Sequence, residues 1–175
     1  MNWYCPGIKF YSWNSEHVDP INNESMNLLH FEIKLDYFES LNPKAPQLVV
    51  ECFIDGKTTT HWQDLPIDIL ELVDSVKQTG EYHIWTCTCG IPECGGIKKG
   101  ITVEIRTHSV TWKHSGRPLE HFGTLEFDRT HYEQCIQLLW HDYKAYFKWL
   151  KAAKTEFGVC PDLKLKEIGN RIYEK

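Results

Sequence analysis

The sequence predicts an α+β fold: an antiparallel β-sheet with helices packed on one face, in the order ββαββββα. Three observations predict it. Two strand-like runs sit close together near residues 31–55, as in a hairpin. A second group of short alternating runs fills residues 101–127. Helical periods follow each group, a short one before Gly80 and a long one from Thr130.

Taken in order, residues 1 to about 27 carry no steady period. NSEHVDPINNES is rich in turn formers, so this stretch is read as an irregular arm that pins itself through Trp3, Tyr4, Phe10 and Trp13. Phe31, Ile33, Leu35 and Tyr37 alternate with Glu32, Lys34 and Asp36, a strand with one buried face. QLVVECFID is the partner strand and ends at the Asp55-Gly56 turn signal. Asp64 as cap and Pro66 in the first turn then start a helix whose stripe is Ile69, Leu70, Val73 and Val76, stopped by Gly80. Tyr82 to Cys89 is extended. Ile101, Val103 and Ile105 form one hairpin arm, Val110 and Trp112 the other, and GTLEFD adds a short strand. Thr130 and Glu133 make a capping box for the longest helix. Its core face is Tyr132, Ile136, Leu139, Tyr143, Phe147 and Leu150, over about six turns, with Gly158 as the stop. The chain is read as a single domain over residues 1–175, with 161–175 a short C-terminal appendage around Leu163, Leu165 and Ile168.

Composition narrows the function classes. Hydrophobic residues are 42% and aromatic residues 13%, enough to fill a core at 175 residues and incompatible with general disorder. The formal net charge of −5 gives no global attraction to nucleic acid or anionic lipid. The apolar runs are far too short to span a bilayer. MNWYCPGIKFYSW lacks a basic n-region and a long apolar h-region, so a cytoplasmic location is expected.

Seven cysteines stand at positions 5, 52, 87, 89, 94, 135 and 160, an odd count that argues against a complete disulfide framework. Cys52 and Cys135 read as small buried hydrophobes. Cys87, Cys89 and Cys94 crowd into WTCTCGIPECGGI. Cys87 and Cys89, two apart on an extended segment, point to the same face. Gly90, Pro92, Gly95 and Gly96 let the chain turn and bring Cys94 back over them. Three converging thiolates suit a tetrahedral zinc site that lacks one ligand. With Thr107 to Ser109 as the hairpin turn, Thr102 faces His114 and makes it the first choice for the fourth ligand. His83, two residues from Trp85 and four from Cys87, is the second choice. His131 and Cys135, one helical turn apart, could reach in from the long helix. The alternatives are a reduced, metal-free glycine turn and a labile redox pair. Four protein ligands would make zinc structural; three would leave a position open for water.

W-x-C-x-C-G-x-P-x-C-x-G-I, then Trp112 in a hairpin arm and the Phe127-to-Tyr132 entry to a helix, resembles a small bacterial domain found in uncharacterised proteins. The resemblance covers about residues 82–140 and brings no established activity or catalytic residue. Small proteins of this size and build include immunity and inhibitor proteins, so the resemblance implies a bacterial or phage binding protein.

Enzyme signatures are sparse. His30-Phe31-Glu32 fits the first half of a zinc-deaminase signature, but PECGG misplaces the cysteine of the second half. H-E-x-x-H, G-x-S-x-G, G-x-G-x-x-G and G-x4-G-K-[ST] are absent. GGIKKG reads as a solvated turn before it reads as an anion cradle. A nucleophile pair of Cys89 with His83 or His114 lacks a group to orient the histidine. His30, His61, His121 and His141 are scattered, with surface or satisfied-core placement as the default. In WHDYKAYFKWL, Tyr146 and Trp149 lie near the boundary of the core face and form a candidate partner-binding patch. The leading expectation is therefore a non-enzymatic protein-binding module whose acidic surface meets a basic protein partner. It would bind neither nucleic acid nor membrane, and a small-molecule ligand stays open. The alternative is an enzyme using the Cys87/Cys89/Cys94 and histidine cluster, by metal-dependent hydrolysis or thiol chemistry.

Overall fold

The computed structural model describes residues 26–37, 45–59, 64–87, 89, 91, 96–114, 116, 118–154, 156–159 and 165–173. The predicted arm up to residue 25 lies outside the described residues, as do Cys5, Cys94 and Cys160. The fold is α+β, as the sequence predicts, but its strands form two sheets instead of one.

The first sheet grows from β1 (Leu29–Tyr37) and β2 (Pro46–Ile54), paired antiparallel from Leu29↔Ile54 to Tyr37↔Pro46. That register sets Leu29, Phe31 and Ile33 opposite Ile54, Cys52 and Val50, so the apolar positions share one face. Asp55 and Gly56 turn the chain with φ of 52° and 73° into β3 (Lys57–Thr58), which folds back on Phe53 and Ile54. Positive φ at both positions is what a tight hairpin turn requires, and Asp-Gly supplies it at low cost. β8 (Gly158–Val159) pairs parallel to Gln47 and Leu48.

The chain then leaves this sheet. Residues 66–68 run beside 84–86: Asp68 N–H donates to Ile84 O at 2.8 Å and Thr86 N–H to Pro66 O at 3.1 Å. That bridge corrects the predicted helix start. α1 is Ile69–Asp74, capped by the Asp68 carboxylate, which accepts from the N–H groups of Leu70 and Glu71; Asp64 is exposed and does not cap. The helix ends at Ser75, short of Val76.

The second sheet is an antiparallel meander of β4 (Gly80–Tyr82), β5 (Ile101–Ile105), β6 (Ser109–Lys113) and β7 (Leu125–Asp128). Its register differs by one residue from the expectation. Ile105 pairs with Val110 and Thr102 with Lys113, not with His114. Arg106 N–H donates to Ser109 O at 2.8 Å, so the turn holds two residues, Thr107 and His108, rather than three.

α2 (Arg129–Ala152) follows β7 directly. Asp128, not Thr130, is its cap: the carboxylate accepts from His131 N–H at 2.8 Å. The six predicted core residues from Tyr132 to Leu150 are all buried. The helix stops at Ala153 and Lys154 (φ 50°), and Gly158 belongs to β8 instead. α2 packs against β1, β6, β7 and α1, so it joins the two sheets around one apolar core. Asn27 clasps them at one end, exchanging bonds of 2.7 and 3.0 Å with Glu126. α3 (Leu165–Tyr173) buries Ile168 and Ile172, and Arg171 grips Asp74 of α1 with two bonds of 2.9 and 2.8 Å. No helix among the described residues is long and apolar enough to cross a membrane.

Candidate functional site

Two places gather the residues that the sequence singles out: the start of the cysteine loop, and the outer surface of α2.

Residues 82–87 leave β4 and are pinned at Trp85 by its bridge to Ile67. Trp85 is 2% exposed and stands edge-on to Trp112 at 5.7 Å, so the strand feeding the loop is anchored in the core. At its outer end Cys87 and Cys89 are joined as a disulfide, with Cα atoms 5.3 Å apart. Thr86 Oγ1 donates to Ile91 O at 3.2 Å across the same turn. In this state neither sulfur is a thiolate, which both zinc binding and nucleophilic attack require. Cys94 lies outside the described residues.

The two histidines considered as ligands do meet. His83 and His114 line one shallow cleft together with Tyr82, Trp85, Lys99 and Ile101. His114 is held between carbonyls, Nδ1 at 3.0 Å from Gly116 O and Nε2 at 2.9 Å from Gly123 O. A ligand role for it requires one of those contacts to open. His83 fixes its backbone by donating N–H to Glu71 Oε2 at 3.1 Å, while its buried Nδ1 has no partner. Trp85 Nε1, in the same lining, is also buried and unpartnered. Among the described residues, no group of three or more His, Cys, Asp and Glu side chains is arranged to hold a metal.

The remaining described thiols face inward. Cys52 is buried as predicted, and burial pushes its thiol well above the ordinary value. Cys135 is half-buried, not buried as expected, and its Sγ lies beside Leu29 O and His131 Nε2, both at 3.4 Å. Burial pushes the Cys135 thiol up to about 11, so it is protonated at neutral pH and is not an activated nucleophile. His131 Nε2 contacts the same Leu29 carbonyl at 2.9 Å. This pair stays by β1 and does not join the cysteine loop.

The outer surface of α2 is the second place. Tyr146 is half-buried against the core, whereas Trp149 is 42% exposed and Leu138 54% exposed. Leu138, Ala145 and Trp149, at i, i+7 and i+11, share one side of the helix, with the exposed Asp142 between the first two at i+4. Tyr173 of α3, 54% exposed, stands near the other side. Between them run lysines the sequence reading passed over: Lys148 Nζ and Lys151 Nζ lie 5.9 and 5.7 Å from the Tyr173 ring, and Lys144 Nζ lies 5.6 Å from Trp140. A countable signal marks them. From Tyr143 to Lys154 the chain carries four lysines and no Asp or Glu.

No family model matches the chain, and no curated protein or solved structure matches it. The functional reading therefore rests on these two places.

Proposed function

We propose that this chain is a non-enzymatic protein-binding module, of the inhibitor or immunity kind, that engages its partner through the outer face of α2. The observation that carries the reading is the exposed Leu138–Trp149 stripe with Tyr173 beside it. These are large apolar side chains left on a helix whose own core face is already filled by six other residues. Tryptophan and tyrosine dominate binding hot spots because they bury much area with little entropy to lose. In this reading Trp149 and Leu138 are the anchors, and the half-buried Tyr146, packed against the core, lies three residues before Trp149 at the edge of the surface.

The cysteine loop is then a structural element held by its disulfide. In reduced form Cys87, Cys89 and Cys94 with His83 or His114 are the residue types that zinc would take. A second reading, thiol–disulfide chemistry, is favoured by one observation, the Cys87–Cys89 pair itself.

Co-purification with tagged protein from the native host tests the binding reading. A discrete protein partner retained by the wild type and lost by Leu138→Glu/Trp149→Glu, at unchanged melting temperature, is the expected result. A partner retained equally by that variant overturns the assignment of the surface.

A further inference from the structure

We infer that the α2 surface selects an acidic segment of its protein partner, although the chain as a whole is acidic; this rests on the α2 face being the binding surface. The formal charge of the chain is −5, and the segment from Tyr143 to Lys154 contributes four positive charges, so the rest carries −9. Lys144, Lys148 and Lys151 repeat at i, i+4 and i+7, which places like charges on one line along the helix. Lys148 and Lys151 are exposed and Lys144 is half-buried, and among the described residues no acidic side chain pairs with any of the three. Elsewhere Lys34 pairs with Glu51, Lys77 with Asp74, Lys113 with Glu104 and Arg129 with Glu133, while Lys98 and Lys99 are exposed before β5. Among the described residues, mutual repulsion along this lysine row has no counter-charge paired to it.

The helix dipole does not account for the row. A cation gains from the C-terminus only within the last turn, which covers Lys151 but not Lys144 or Lys148. The amines are also held in place. Each lies over an aromatic ring: Lys144 over Trp140, Lys148 over Tyr173, and Lys151 over both Phe147 and Tyr173. Positioned cations alongside an apolar stripe match a segment with carboxylates on one edge and apolar side chains on the other. From Leu138 to Trp149 the stripe is about 16 Å long, three helical turns. Nucleic acid suits the surface less well. Binding to it draws on many phosphate contacts, whereas this row is short and the rest of the chain repels a polyanion.

The test uses the full chain and three probes: an amphipathic helical peptide of about four turns with Leu on one face and Glu on the other, the same peptide with Gln for Glu, and a short oligothymidylate. The readout is the Trp149 indole resonance. The expected result is saturable binding of the Glu peptide, about tenfold tighter than the Gln peptide and about tenfold weakened by K144Q/K148Q/K151Q at unchanged melting temperature. Equal binding of Glu and Gln peptides at Trp149 keeps the α2 face as a docking surface and overturns its acidic selectivity. Tighter binding of the oligothymidylate assigns the lysines to nucleic acid and overturns the inference. No shift of Trp149 with any probe overturns both the inference and the surface.

Discussion

Removing one oxygen from the core should be costly. Trp112 Nε1–H donates to Tyr132 OH at 3.2 Å, and Tyr132 OH lies 2.6 Å from Ser75 Oγ. Ser75 spends its single hydroxyl proton on Leu72 O at 2.6 Å, so the proton between Ser75 and Tyr132 must come from the tyrosine. The result is a directed chain from β6 through α2 to α1, with Trp112, Tyr132 and Ser75 all fully buried. Burial raises the Tyr132 phenol further above its ordinary value, so it stays neutral and able to donate. Tyr132→Phe keeps the ring and its edge-on packing on Trp112 at 5.8 Å, but orphans the indole N–H in a site water does not reach. An orphaned buried donor costs about 1–3 kcal/mol. Taking about 2 kcal/mol, the melting temperature should fall by roughly 4–8 °C for a chain of this size. Ser75→Ala should cost about 1–2 kcal/mol by leaving the Tyr132 proton without an acceptor. The double variant should be less destabilised than the sum by about 1 kcal/mol, because both singles break the same bond. Urea unfolding of the four proteins measures this cycle. A Tyr132→Phe loss below about 0.5 kcal/mol, or strict additivity, refutes the directed chain.

Three further outcomes follow from other contacts. Burial alone would raise the Asp74 carboxyl, but its bonds to Arg171 and Lys77 hold it below the ordinary value. A depressed carboxyl stabilises the fold above its unfolded value near 4, and that stability is lost as pH falls through the folded value. Asp74→Asn should therefore flatten the acid limb of a melting-versus-pH profile below about pH 4, and an unchanged limb would remove Asp74 as its source. Gly100→Ala places a Cβ 2.7 Å from the Tyr82 carbonyl oxygen at the β4–β5 join, so urea unfolding should show a loss of about 1–3 kcal/mol, whereas a neutral result would mean that the two strands can part. The Cys87–Cys89 bond closes a loop with a sequence separation of only 2, so reduction should cost only about 1.5 kcal/mol by loop entropy, and calorimetry with and without reductant will show whether it costs more.

Where one local signal determined structure, the sequence was readable. Strict alternation located β1, the apolar run ending at Asp55-Gly56 located β2, and the 3.6-residue stripe located the whole buried face of α2. What misled was competition between signals. Asp64 and Pro66 resemble a helix start, yet residues 66–68 are taken by backbone hydrogen bonds to 84–86, and the cap falls to the Asp68 carboxylate at the end of that bridge. Thr130 resembles a cap, but Asp128 sits two residues earlier, where the β7 chain turns into the helix. The hairpin register depended on whether the turn held two residues or three, which composition does not specify. β3 and β8 are two residues each and owe their existence to the β2 edge they pair with, not to any period of their own.

The α+β class followed from element order; the split into two sheets depended on long-range packing around α2. At the candidate sites, Cys87 and Cys89 are adjacent as a disulfide, not as paired thiolates, and His83 and His114 line one cleft. The lysine row was missed because the net charge of −5 averages it away.

Site-specific photo-crosslinking from α2 tests the central claim most directly. With a benzophenone side chain in place of Trp149, and in a second protein in place of the exposed Lys57 of β3, both are irradiated in the native host. Binding through α2 predicts one discrete protein adduct from position 149, identified by peptide mass, and none from position 57. Adducts from position 57 alone, or none from either, would contradict it.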